Sequence, residues 1–202
     1  MSTEPLPLLP AALLHAHHCH DMQDTRFRAL ARLAQALWRE RQGLPCGHLL
    51  DKATGVCRQL GSRLTSAVGL AGANLVDPTL VPLVRRELVY REIGAVIDAD
   101  RLWTNLLSSQ PLTFNLFGPL KLDLSLATAV LGRLCPDLAG TITAVLFEYS
   151  PGRGDPAFTG DGTAFDVLLQ VNLPDGTRTF LAIEMKYTEH NGGPLGARWP
   201  CR

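Results

Sequence analysis

The stretch TAFDVLLQVNLPDGTRTFLAIEMKY, residues 163–187, reads as two strands joined by a tight turn. Residues 164–172 and 177–186 are apolar runs rich in β-branched and aromatic residues, and the Asp175-Gly176 pair between them is a strong hairpin signal. The two strands are therefore expected to lie antiparallel and adjacent. Side chains alternate along a strand, so Ile183 and Met185 point to one face and Glu184 and Lys186 to the other. A hairpin turned near Asp175 brings Asp166 across from that pair, gathering two carboxylates and an amine into one patch.

Working outward, residues 141–149 form a third apolar run, ending in Glu148 and Tyr149, and a short helix is expected over residues 124–134, stopped by Pro136. Before it the pattern is mostly helical. Apolar residues from Phe27 to Trp38 recur at spacings of three and four, with arginines expected on the opposite face. A mixed, glycine-containing segment follows over residues 46–72, and then a helix that starts near Pro78 and runs to about Gly94. A further helix is expected over residues 98–110, with a break forced by Pro111. Three prolines within residues 1–14 predict an irregular lead-in. The expected organisation is an irregular segment (1–23), a helical region (24–118), an α/β (mixed) core (119–189) and an irregular tail (190–202).

Taken alone, Asp166, Glu184 and Lys186 also fit a solvated sheet edge, where a cross-strand ion pair contributes roughly 0.2–1 kcal/mol. Chemistry gives the alternative. Phosphodiester hydrolysis needs a divalent cation to neutralise the phosphate and activate water, and Asp and Glu are the hard oxygen ligands that Mg²⁺ prefers. A neighbouring lysine stabilises the developing charge or orients the water.

The pattern FD…EMK at residues 165–166 and 184–186 resembles the PD-(D/E)XK nuclease superfamily of restriction-endonuclease-like folds. Phe165 stands where the nominal motif has proline. The phrases LLSSQPLTFNLFG (106–118), FEYSPGR (147–153), TAFDV (163–167) and IEMKYTE (183–189) resemble an uncharacterised bacterial branch of that superfamily. The resemblance implies a restriction-endonuclease-like α-β-β-β core with a helical N-terminal extension. It also implies Asp166, Glu184 and Lys186 as catalytic residues, Asp166, Glu184 and Glu148 as metal ligands, Mg²⁺ as cofactor and DNA as partner. A homodimer is compatible with it. Members often contribute an acid from the first core helix, which residues 124–134 lack; Glu87 and Glu92 lie on an earlier charged helical face. After Glu189 the text HNGGPLGARWPCR has no helical period where the resemblance implies a helix and a fourth strand, so the expectation is a chain truncated at that point. The competing reading is an inactive remnant or a non-catalytic nucleic-acid-binding module.

The remaining features separate classes. At 202 residues, 46% hydrophobic and 19% charged, the chain can bury an ordinary globular core. Its net charge of zero decides nothing about nucleic acid. No apolar stretch reaches the roughly 18–20 residues that span a bilayer, so no membrane is expected and a cytoplasmic protein is the default. Five scattered cysteines without a CxxC pair predict mostly buried thiols rather than a disulfide framework or zinc site. The run His15–His20 reads as solvent-exposed, Ser108 to Gln110 as backbone-capping, and residues 152–166 as a loop that delivers Asp166, with Arg153 available to a phosphate.

Overall fold

The computed structural model describes residues 5–50, 55–95, 97–138, 140–157, 160 and 163–188. These form a mixed α/β arrangement of seven α-helices and two small antiparallel sheets. The expected irregular tail lies outside the described residues.

A short helix, α1 (Ala11–Ala16), replaces the irregular lead-in expected near the N-terminus. Pro10 occupies its N-cap, where a missing donor breaks no helical bond. The long amphipathic helix α2 (Arg26–Arg41) forms as expected, with Thr25 Oγ1 accepting from the Arg28 amide at 3.2 Å. The expectation that its arginines face outward fails at Arg32 and Arg39, which are only 3% and 5% exposed, while Phe27 and Trp38 are exposed.

The reason is the β-hairpin of β1 (Cys46–Leu50) and β2 (Cys57–Leu64), which packs on that face of α2. Arg39 donates to the carbonyls of Gly61 and Leu44 at 2.9 and 2.7 Å, so the arginine closes backbone groups that the hairpin would otherwise bury unpaired. The strands read CGHLL and CRQLGSRL, without a β-branched residue, which is why the sequence signalled only a mixed segment here. A Cβ at Gly61 would lie 2.1 Å from the His17 carbonyl oxygen, so only glycine lets β2 pass this close to residues 17–19.

That contact also orders the histidine-rich run. Cys19 is fully buried against Leu14, Leu33 and Ala36, and burial pushes its thiol up to about 11. His15 and His20 stack at 4.1 Å, and His17 Nδ1 lies 2.8 Å from Glu40. His15, Ala16 and His18 are exposed as expected, and Cys19 anchors the run. The expectation of buried thiols holds for Cys19 and fails for exposed Cys57.

Four helices follow the hairpin: α3 (Ser66–Leu70), α4 (Leu80–Val89), α5 (Ala99–Thr104) and α6 (Ser109–Leu122). The single helix expected over 98–110 is cut after Thr104. The break expected at Pro111 does not occur, because Pro111 is the third residue of α6, in the first turn where its N–H would have no partner. Ser108 caps this helix, its Oγ accepting from the Gln110 amide at 3.2 Å, in line with its expected backbone role. The next helix, α7 (Leu124–Leu134), starts at Asp123 after a bend of 115°, and no single helix among the described residues is long and apolar enough to cross a membrane.

The second sheet comprises β3 (Thr141–Tyr149), β4 (Phe165–Asn172) and β5 (Arg178–Ile183), all antiparallel with β4 central. The turn between β4 and β5 closes through the Gly176 amide to the Leu173 carbonyl at 2.9 Å, with Gly176 at φ 83°. One face of this sheet packs on α7 through Ile142, Val145, Val167 and Leu169 against Ala127 and Leu131. The helical half has its own core around Leu80, Val84, Leu102 and Phe114. Phe147 belongs to both, its ring centroid 4.4 Å from that of Phe114, so the N-terminal part of α6 is fixed over the end of β3.

Candidate active site

The register of the sheet fixes the three carboxylates. Phe147 pairs with Val167 and Tyr149 with Phe165, which sets Glu148 opposite Asp166. Val167 pairs with Ile183, the last residue of β5, which sets Glu184 opposite Asp166 on the other side. Glu148, Asp166 and Glu184 thus stand in one row across three adjacent strands.

Strand β5 ends three residues earlier than expected, so Glu184 and Lys186 sit just beyond the ladder rather than within it. The chain still follows the strand direction, because Asp166 Oδ2 accepts from the Met185 amide at 2.6 Å. Lys186 Nζ donates to Glu184 Oε1, and both side chains are about half exposed (50% and 55%).

Glu148 departs from ordinary strand geometry. Its φ of 49° is left-handed, a conformation that costs a non-glycine residue on the order of 1–2 kcal/mol. The up-and-down alternation is broken at this residue. Glu148 and Asp166 line a small recess at the N-terminus of α6, together with Gln110, Phe114 and Ile97. Burial is the main reason the Glu148 carboxyl is pushed up to about 7. The Asp166 charge adds to it, Arg153 opposes it, and Glu184 raises it further.

This shift has a measurable consequence. Glu148 binds its proton more tightly folded than unfolded, so between about pH 4.5 and 7 the native state holds more protons than the unfolded chain. Stability therefore falls as pH rises through that window and levels off above it. Glu148→Gln, measured by urea unfolding in chelator, should flatten this decline and match or exceed the wild-type midpoint at pH 8. Parallel losses in both proteins from pH 5 to 8 would exclude Glu148 as the group.

Around the row, Arg153 anchors the β3–β4 connection. Its Nε lies 3.3 Å from Glu92 Oε2, and its Nη1 and Nη2 donate to the carbonyls of Gly94 and Glu148 at 3.2 and 3.3 Å. The residue expected to meet a phosphate is thus engaged in fastening the loop to the helical half. Glu87 pairs with Lys121. Helix α6 lines the recess with Thr113, Phe114 and Gln110, the last of which the sequence assigned only to backbone capping. Gln110 Oε1 accepts from the Asp98 amide at 3.2 Å. Its position next to Pro111 was the available signal, had Pro111 been read as a helix start.

Among the described residues no three His, Cys, Asp or Glu side chains converge as a closed metal cluster. The donor set nevertheless fits a hard divalent cation. It consists of carboxylate oxygens in adjacent register, of which Glu148 is pushed up to about 7 first by burial and then by the Asp166 charge.

No curated protein and no solved structure matches the chain. A family model described as the PD-(D/E)XK nuclease superfamily matches residues 22–198, a span that takes in both the helical half and the three-stranded sheet. With the aspartate and the Glu-X-Lys of that motif facing each other across β4 and the end of β5, the chain belongs to the PD-(D/E)XK nuclease superfamily.

Proposed function

We propose that the chain is a Mg²⁺-dependent nuclease that hydrolyses DNA phosphodiester bonds, with Asp166, Glu184 and Lys186 as its catalytic residues. The observation that carries this reading is the single row of Glu148, Asp166 and Glu184 across β3, β4 and the end of β5, with Lys186 beside it. The order α7–β3–β4–β5 is consistent with the first four elements of a restriction-endonuclease-like core, preceded by the helical region and its hairpin.

Asp166, Glu184 and Glu148 would hold the cation, which when bound neutralises phosphate charge and activates water. The protein's own part is orientation and charge. The Met185 amide holds one Asp166 oxygen and so orients the carboxylate. Glu148 holds a proton near neutral pH and releases it when a positive charge arrives. Lys186 is partnered by Glu184 in the resting chain, and beside a bound cation its ammonium would stabilise negative charge on the phosphate or orient water.

Incubating supercoiled plasmid with the purified chain should give nicked or linear product with Mg²⁺ and none in chelator. Intact DNA and intact RNA at saturating Mg²⁺, with nucleic-acid binding retained, would instead favour a non-catalytic binding module.

A further inference from the structure

Beside Thr188 lies a second polar recess, lined also by Arg28 and Arg32 of α2, Arg63 of β2, Arg101 of α5 and Asp21. Arg28 and Arg32 are four residues apart on one helix face, and the hairpin brings Arg63 up to them. Thr188 is buried, its Oγ1 donating to the Leu107 carbonyl at 3.0 Å, and it stands two residues after Lys186. Two residues of chain span at most about 7 Å, so the recess and the carboxylate row share one short run of backbone.

The acids facing Arg28 and Arg63 account for only part of their donors. Each nitrogen of Arg32 is engaged, with Asp24 at 2.7 and 2.9 Å and Ser62 at 3.1 Å. Asp21 is taken by Arg58 at 2.6 Å and is 4.0 Å from Arg32. Arg63 gives Nη1 to Asp100 and Thr104, at 2.8 and 3.3 Å, and its Nε and Nη2 have no acceptor among the described residues. Arg28 Nε is buried without a hydrogen-bond acceptor; Asp24 Oδ1, 3.2 Å away, forms an ion pair with it but lies off the hydrogen-bond direction. A guanidinium presents five donors in a fixed fork, and buried ones left unmade carry a desolvation cost that an acceptor would remove.

We propose that this recess binds a phosphate group, supplied by the terminal phosphate of a nucleic-acid strand. Forked guanidinium donors from two elements match the several acceptor oxygens of a phosphomonoester, and its second negative charge distinguishes it from the internal diesters of the strand. The choice of a strand end as the source rests on the nuclease reading; phosphate recognition itself does not. A free phosphate or mononucleotide offers the same chemistry.

The test is fluorescence anisotropy on the full chain in chelator, where no hydrolysis intervenes. It uses single-stranded oligonucleotides that carry 5′-phosphate, 3′-phosphate or only hydroxyl ends. One phosphorylated end should bind roughly tenfold or more tightly than the hydroxyl form. Arg28→Gln, checked for folding by circular dichroism, should erase that preference and leave the hydroxyl form unchanged, and Arg28→Lys should keep part of it. Saturable binding of inorganic phosphate that Arg28→Gln abolishes, without discrimination between strand ends, would support the recess with free phosphate as its source. Equal affinity for all three strands together with no binding of inorganic phosphate, or an Arg28→Gln chain that behaves as wild type, would overturn it. Cleavage is not read in this experiment, so the result stands apart from the fate of the nuclease assignment.

Discussion

Asp166→Ala is expected to reduce Mg²⁺-dependent cleavage by roughly 10²–10³-fold or more while leaving the chain folded. Asp166 is the middle member of the carboxylate row, opposite Glu148 on one side and Glu184 on the other, so its loss splits the donor set in two. The structural cost is small. The Met185 amide loses its acceptor, about 0.5–1.5 kcal/mol, and part of this is returned because Asp166 no longer repels Glu148. The same substitution should therefore lower the Glu148 pKa, which carboxyl NMR reports without any assay. Cleavage at the wild-type rate by Asp166→Ala would remove the residue from the site. Lost activity with an unmoved Glu148 titration would mean that the row is not assembled as the register implies.

The largest effect on stability is expected far from that row. Asp24 and Arg32 have side chains 3% and 4% exposed and are joined by two hydrogen bonds, with Arg28 also drawn to Asp24. Asp24→Ala leaves the Arg32 guanidinium buried with only Ser62 and a distant Asp21 as company. Removing one partner of a buried pair costs about 3–5 kcal/mol, a large share of the roughly 5–15 kcal/mol that holds a domain together. Urea unfolding should show this as a lower midpoint with an unchanged slope. A loss below about 1 kcal/mol would mean that water reaches Arg32. The double variant Asp24→Leu, Arg32→Met should recover much of the stability, since an apolar pair leaves no charge stranded.

The two sites differ in how far the sequence revealed them. Asp166, Glu184 and Lys186 were legible because strand period and the Asp175-Gly176 turn are local properties. A turn of known length fixes which residues face each other, and one face of the sheet must be apolar. The helix of residues 124–134 and the strand of 141–149 were legible from equally local signals, the stop at Pro136 and a run rich in β-branched and aromatic residues. The last strand was drawn too long because alternation continues on paper through Glu184 and Lys186, whereas its ladder ends at Ile183 and the Met185 amide donates to the Asp166 side chain instead.

What the sequence by itself determined, then, is the three-stranded sheet, the residues in its acidic row and the family to which they point. The sheet and the facing of Asp166 with Glu184 and Lys186 follow from short-range periodicity and turn chemistry, whereas Glu148 and the family came from the resemblance of the flanking phrases. Only the tertiary structure decided that residues 46–64 form a hairpin, that Arg32 and Arg39 lie inside rather than outside, that Gln110 joins Glu148 and Asp166 in one recess, and that four arginines converge beside Thr188. The physical reason is that each depends on segments far apart in the chain. A charged side chain is buried only when a distant segment brings it an acceptor, and a strand without β-branched residues forms only when a helix covers it. Neither condition is written in the neighbouring residues.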